Sequence, residues 1–283
     1  MTIKKAVLIS SASFAVVSLL LSGCQDHQID YGYNSIGGTT YTKLSTGEIL
    51  DTSDAGYSYS IEDEHLVITY DNNEVNAPIL IADADMDHDG LGVFISDAKT
   101  AISYPENDMV TVLFSDDQGE TWASSIINCG TDITNSFIGF TSEDTGWLIS
   151  CNFVGMGTEN HFLYTTADGG KTWTLVDSNV NQEYDRLLVG ANFLNEKIGF
   201  LCFRYESPDF MAPVLTTNDG GITWSKLYLP IPDEYANYRA TALTPSYDGN
   251  QCVLSVMLTS DDEEVKTINF ISDDLGKTFV PQE

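Results

Sequence analysis

The sequence predicts an all-β fold, a β-propeller of about five four-stranded antiparallel sheets. Three observations predict it. An eight-residue motif recurs four times in phase, short β-branched and aromatic runs surround each copy, and the composition favours strands and turns. The 283 residues include 22 Gly and only 8 Pro, and 11% are aromatic, a balance that suits a strand-rich chain better than a helical one. With 42% hydrophobic residues the chain fills one large core or two small ones.

The motif copies align without gaps. They are Ser115-Asp116-Asp117-Gln118-Gly119-Glu120-Thr121-Trp122, Thr166-Ala167-Asp168-Gly169-Gly170-Lys171-Thr172-Trp173, Thr217-Asn218-Asp219-Gly220-Gly221-Ile222-Thr223-Trp224 and Ser272-Asp273-Asp274-Leu275-Gly276-Lys277-Thr278-Phe279. The central aspartates Asp117, Asp168, Asp219 and Asp274 stand 51, 51 and 55 residues apart. A second landmark, an apolar residue followed six positions later by glycine, recurs at Ala84 and Gly90, Phe140 and Gly146, Phe193 and Gly199, and Leu243 and Gly249. Each unit therefore holds two turns. Runs such as 186–193, 198–203, 212–217 and 222–229 are too short for helices, so the unit reads as a four-stranded meander. A long period of this make-up is the signature of a propeller blade.

Upstream, 40–44 and 48–51 flank a Ser-Thr-Gly turn, and 57–61 and 65–70 flank Glu62-Asp63-Glu64. This stretch predicts a first blade without the motif. Setting 23 leading residues aside from 283 leaves 260, enough for about five units at the observed period. Six or seven blades, the alternative, require shorter units.

Within the motif, the aspartate carboxylate is suited to accept backbone N–H bonds across a tight turn, the glycine takes a positive φ, and the Thr hydroxyl pairs locally. The closing Trp or Phe then plugs the space between neighbouring sheets. On this reading Asp117, Asp168, Asp219 and Asp274 are structural turn residues and not catalytic acids. The motif resembles the Asp-box, Ser/Thr-x-Asp-x-Gly-x-Thr-Trp/Phe, of sialidases, sortilin-type receptors and the photosystem II assembly factor family. The resemblance spans roughly residues 78–283 and implies the propeller fold. Fold does not fix function.

The first 23 residues read as an address. Lys4 and Lys5 precede an apolar run from Ala6 to Leu21, too short for a lasting bilayer span. Leu21-Ser22-Gly23-Cys24 resembles the lipobox of bacterial lipoproteins, which implies cleavage before Cys24 and its acylation. An ordinary secretory signal with a chance cysteine is the alternative. Several acyl chains hold a protein on a membrane where one chain does not. The expected organisation is a signal peptide at 1–23, a polar tether at 24–38 and a propeller at 39–283, membrane-anchored and extracytoplasmic.

Twelve Lys and Arg against 42 Asp and Glu give a formal charge of −30. Such a surface repels phosphate backbones, so nucleic acid is not an expected partner.

Asp83-Ala84-Asp85-Met86-Asp87-His88-Asp89-Gly90 places alternate carboxylates on one side of a turn, as a hard cation such as Ca2+ requires. It resembles the start of a calcium loop, with Asp85, Asp87 and Asp89 as ligands. Val93 and Ser96 stand where a late carboxylate ligand is needed, and a solvated acidic turn is the other reading.

A sialidase resemblance implies three arginines converging on a substrate carboxylate, together with a tyrosine nucleophile and its glutamate partner. The chain has three arginines, Arg186, Arg204 and Arg239, and lacks the Arg-Ile-Pro signature. Salt bridges to an acidic surface explain them better. His27, His65, His88 and His161 share no spacing that suggests zinc or a catalytic dyad. Cys129, Cys151, Cys202 and Cys252 are even in number and permit disulfides. Three of them follow the repeat glycines closely, which predicts buried thiols packed on inner strands.

The longer connections carry aromatics beside acids: Tyr205 and Phe210 around Pro208-Asp209, and Tyr235 and Tyr238 after Pro232-Asp233-Glu234. Loops at one mouth of a propeller with Tyr faces and carboxylates suit a sugar or a peptide. The expectation is a lipid-anchored binding or assembly module for a protein or glycan, more a binder than an enzyme. The alternative is a divergent glycoside hydrolase or lyase using two of the carboxylates.

Overall fold

The computed structural model describes residues 57–62, 65–71, 73–80, 91–106, 108–204, 208–247, 251–260 and 265–282, with 40–41 placed by backbone alone. The expected signal, Cys24, the tether and the acidic segment 83–90 lie outside the described residues.

A two-residue strand, β1 (Thr40–Tyr41), comes first. The first sheet is the meander β2 (Tyr57–Glu62), β3 (His65–Tyr70) and β4 (Asn73–Leu80). The second is β5 (Gly92–Ser96), β6 (Thr100–Glu106), β7 (Met109–Ser115) and β8 (Ala123–Ile127), with β1 parallel to β5. The third is β9 (Ile133–Phe140), β10 (Gly146–Gly155), β11 (Thr158–Thr166) and β12 (Thr174–Leu175). A single helical turn, α1 (Val180–Glu183), leads into the fourth, β13 (Leu188–Phe193), β14 (Gly199–Phe203), β15 (Val214–Thr217) and β16 (Ser225–Leu227). The fifth joins β17 (Arg239–Ala242), β18 (Ser246–Tyr247), β19 (Cys252–Thr259), β20 (Val265–Ser272) and β21 (Val280–Pro281).

Five antiparallel sheets in chain order, each packed on its predecessor, make a β-propeller of five blades. The packing is visible as four apolar clusters, each shared by two successive sheets. Strands β5 and β14 are buried at every position. Burial on both faces replaces alternation with continuous apolar runs. In β19 alternation survives, with every second residue of CVLSVMLT buried.

All four motifs bridge the third and last strands of their sheets at the same end of the ring. The closing aromatic always packs backward. Trp122 joins the cluster of sheets one and two, Trp173 that of two and three, Trp224 that of three and four, and Phe279 that of four and five. The motif glycine Gly221 has φ +88 and lies so close to Leu163 of the preceding sheet that a Cβ would overlap it. Gly276 stands in the same relation to Phe200. Glycine is therefore required twice over there, for backbone conformation and for close approach.

The sequence landmarks need two corrections. In the third and fourth sheets the apolar–glycine pair is a cross-strand pair, Phe140 opposite Gly146 and Phe193 opposite Gly199, with each glycine also opposite the first motif residue. In the second and fifth sheets that place belongs to Thr100 and Cys252, while Gly90 and Gly249 fall outside the described residues. In the first sheet the hairpin 57–70 forms as expected but continues into β4, and Thr40–Tyr41 joins the second sheet.

Cys151, Cys202 and Cys252 sit on second strands, fully buried, and with Cys129 they are free thiols. No described pair forms a disulfide. Burial pushes the thiols of all four up, Cys252 to about 12.

Candidate functional site

The two ends of the ring differ in chemistry. At one end lie the motif turns, which bond to themselves. Thr166 Oγ1 donates to Asp168 Oδ1 at 2.8 Å, the Gly170 N–H donates to Thr166 Oγ1 at 3.0 Å, the Thr172 N–H donates to Asp168 Oδ1 at 2.9 Å, and Thr172 Oγ1 donates to Asp168 Oδ2 at 2.6 Å. The same bonds recur around Asp117, Asp219 and Asp274. Threonine hydroxyl and amide donors hold Asp168 and Asp274 down at about 2, and Asp117 is also lowered. At Asp219 burial pulls upward, yet the same donors prevail. Each carboxylate is thus engaged at both oxygens by its own turn.

Antiparallel pairing puts the opposite end at the starts of β5, β9, β13 and β17 and at the β10–β11 hairpin. Here the connections are longer and more varied. The hairpin tip presents apolar side chains to solvent: Phe153 is 49% exposed, Val154 61% and Met156 99%. Gly155 and Gly157, both with positive φ, and Met156 at φ 54 turn the chain back on itself. Arg186 and Arg204 stand beside this hairpin. Arg186 bridges to Thr158, and an Arg204 Nη lies beside Gly157. Arg239 begins the next sheet, opposite Thr259, with its Nε buried and lacking a hydrogen-bond partner. The three arginines share one end, and two of them stand beside one hairpin.

Beneath the hairpin lies a group that linear spacing does not reveal. Cys151 on β10 is directly opposite His161 on β11, and Glu159 is two residues before His161 on the same face. One ligand atom from each lies within 4.8 Å of the others, and all three residues are buried. Thr134 Oγ1 donates to Glu159 Oε1 at 3.2 Å, and the Leu188 N–H of the next sheet donates to Oε2 at 3.1 Å. Nε2 of His161 is 3.5 Å from Glu159 Oε2, but neither ring nitrogen has a hydrogen-bond partner. Asn181 of α1 clamps the His161 backbone, its Oδ1 accepting from the N–H at 2.7 Å and its Nδ2 donating to the carbonyl at 3.0 Å. Phe203 meets the imidazole edge-on at 5.4 Å. Linear spacing hid the cluster because its members meet only through the hairpin register. The Gly155-Met156-Gly157 turn is the signal that would have paired Cys151 with His161.

The expected aromatic rim is partly revised. Tyr205 falls outside the described residues. Phe210 is buried against Tyr184 and Tyr228, at 5.4 and 5.1 Å, with Lys226 over its ring, so it packs the connection and does not face a ligand. Tyr235 and Tyr238 form a T-shaped pair at 5.4 Å with Lys266 Nζ 5.7 Å from each ring, half-buried against the fifth sheet. Asp85, Asp87 and Asp89 lie outside the described residues, as do His27 and His88, and His65 is exposed on β3.

No protein-family model matches the chain, and no curated protein matches it in sequence. Solved structures with a similar fold include an endo-arabinase from Bacteroides thetaiotaomicron, 9% identical with a TM-score of 0.41 over 68% of this chain and 78% of that one. The GH43 protein BlXynB from Bacillus licheniformis is 10% identical with a TM-score of 0.42 over 68% of this chain. A β-fructofuranosidase from Schwanniomyces occidentalis is 16% identical with a TM-score of 0.39, again over 68%. The matches cover 41% of BlXynB and 44% of the fructofuranosidase. At these values the likeness adds nothing to what the sheets themselves show.

Proposed function

We propose that this five-bladed propeller is a lipid-anchored, extracytoplasmic binding module of Asp-box type that performs no chemistry and holds a partner protein at the mouth opposite the motif turns. One observation carries the reading. In a chain of net charge −30, the β10–β11 tip exposes Phe153, Val154 and Met156 with Arg186 and Arg204 together on its fourth-sheet side. An apolar projection with cations beside it suits a protein surface with an apolar pocket and an acidic rim. The anchor rests on the apolar leader and Leu21-Ser22-Gly23-Cys24, and the Asp-box assignment on the motif residues and the self-bonded turn they build.

The test is in-membrane cross-linking of the intact chain, followed by identification of what it captures. The double variant Phe153→Asp/Met156→Asp is expected to lose the captured partner at unchanged melting temperature. Capture that survives both substitutions removes the hairpin from the reading.

A divergent glycoside hydrolase is the second reading, favoured by Asp185 and Arg186 pairing beside the strand that carries Glu159. The Glu159 N–H donates to the Asp185 carbonyl at 2.9 Å, and Arg186 Nε is 3.7 Å from Asp185 Oδ1. Two carboxylates and a cation are the parts such chemistry needs. Glu159, however, is buried and engaged by Thr134 and Leu188. Release of reducing sugar from a polysaccharide panel, abolished by Asp185→Asn, is the result that replaces the first reading with this one.

A further inference from the structure

We propose that Cys151, Glu159 and His161 form a binding site for a zinc-class divalent cation, which rivets the β10–β11 hairpin to the start of the fourth sheet. The inference is independent of the function proposed above.

The geometry is close to that of a bound ion. Zinc takes Cys sulfur at roughly 2.3 Å and His nitrogen or carboxylate oxygen at roughly 2.0–2.2 Å, in a tetrahedron, so its ligand atoms stand roughly 3.3–3.7 Å apart. Glu159 Oε2 and His161 Nε2 are already 3.5 Å apart. The whole set lies within 4.8 Å, so the remaining contacts close by about an ångström. Three protein ligands leave the fourth position to a water.

Burial argues in the same direction. His161 is 2% exposed, and both of its ring nitrogens lack a hydrogen-bond partner, an arrangement that folded proteins avoid unless something else is bound there. A thiolate, a carboxylate and a neutral imidazole together carry two negative charges. A dication cancels them, so the complex enters the interior without net charge. Binding displaces the Cys151 thiol proton to solvent, and the cation's charge offsets the cost of forming the thiolate.

The ligand chemistry selects the metal. Sulfur, nitrogen and one carboxylate oxygen suit zinc and its neighbours in the transition series, whereas Ca2+ and Mg2+ take oxygen alone. Outer contacts that orient ligands are in place as well. Thr134 and Leu188 fix both Glu159 oxygens, and Asn181 fixes the His161 backbone. Through the Leu188 N–H, the site spans the third and fourth sheets.

The experiment uses the intact chain in detergent, stripped with chelator and titrated with Zn2+ alone. One zinc per chain and a melting temperature raised by several degrees are expected. Cys151→Ser and His161→Gln are each expected to weaken binding by 10-fold or more, and Cys129→Ser to leave it unchanged. Co2+ on the unsubstituted chain gives a readout that does not depend on a variant's folding, namely a sulfur-to-cobalt charge-transfer band. Absence of that band, absence of stoichiometric zinc, or equal zinc affinity in a Cys151→Ser/His161→Gln chain overturns the site.

Discussion

Lys99 reaches from the β5–β6 turn of the second sheet to the Gly169 carbonyl in the motif of the third, donating from Nζ at 2.9 Å. The same ammonium is 2.6 Å from Asp116 Oδ1 and lies over the rings of Phe140 and Phe114 at 4.8 and 5.3 Å. Lys99 is 2% exposed and Asp116 63%, so a buried cation is held between two sheets by one wet carboxylate, one carbonyl and two aromatic faces. Lys99→Met keeps the stem but strands the carbonyl and removes the cation–π contact, and is expected to cost about 1–3 kcal/mol in urea unfolding. Asp116→Ala leaves the ammonium buried without its counter-charge and should cost at least as much. Little effect from either change would show that the latch contributes nothing.

The motif carboxylates predict an acid limb in stability. Asp168 and Asp274 are held at about 2, below their unfolded value near 4. Their contribution is complete above the unfolded value and fades as pH falls from about 4 toward 2. Melting temperature measured across that interval should decline less steeply in Asp168→Asn/Asp274→Asn than in the unaltered chain. An identical decline would detach the turns from the acid response.

Trp224 is expected to be the most damaging of the closing aromatics to truncate. It is 3% exposed, meets Phe193 edge-on at 5.9 Å, and donates from Nε1 to Gly221 O at 3.0 Å and to Ser178 Oγ at 3.1 Å. Trp224→Ala should cost about 3–5 kcal/mol. Trp122→Ala, at a position only partly buried, should cost less; the reverse order in denaturant titrations would contradict the assigned packing.

The cysteines give a direct chemical readout. Cys129, Cys151, Cys202 and Cys252 are buried free thiols. Under native, chelated conditions a thiol reagent should modify none of them quickly, and in denaturant all four should react. Fewer than four in denaturant would mean that disulfides form among them.

The repeat made the blade plan legible because every motif residue has a local job that a linear string can encode: an acceptor, a positive φ, a hydroxyl and a plug. Strands of the fourth blade, expected at 186–193, 198–203, 212–217 and 222–229, form at 188–193, 199–203, 214–217 and 225–227. What escaped the string was anything fixed by pairing across a hairpin. Spacing alone extends the landmark glycines to Gly90 and Gly249, although in those sheets the cross-strand place falls to Thr100 and Cys252. Phe210 looked like a rim aromatic because its neighbours are polar, yet Tyr184 and Tyr228 cover it. His161 looked isolated because Cys151 is ten positions away and reaches it only through register.

The backward packing of every closing aromatic has a bearing on synthesis. As the chain emerges N-terminus first, each newly completed blade finds its dock already made, because Trp122, Trp173, Trp224 and Phe279 all address a surface translated earlier. Growth of this kind needs no waiting for distant partners, and it shelters each fresh apolar edge within one repeat of its emergence.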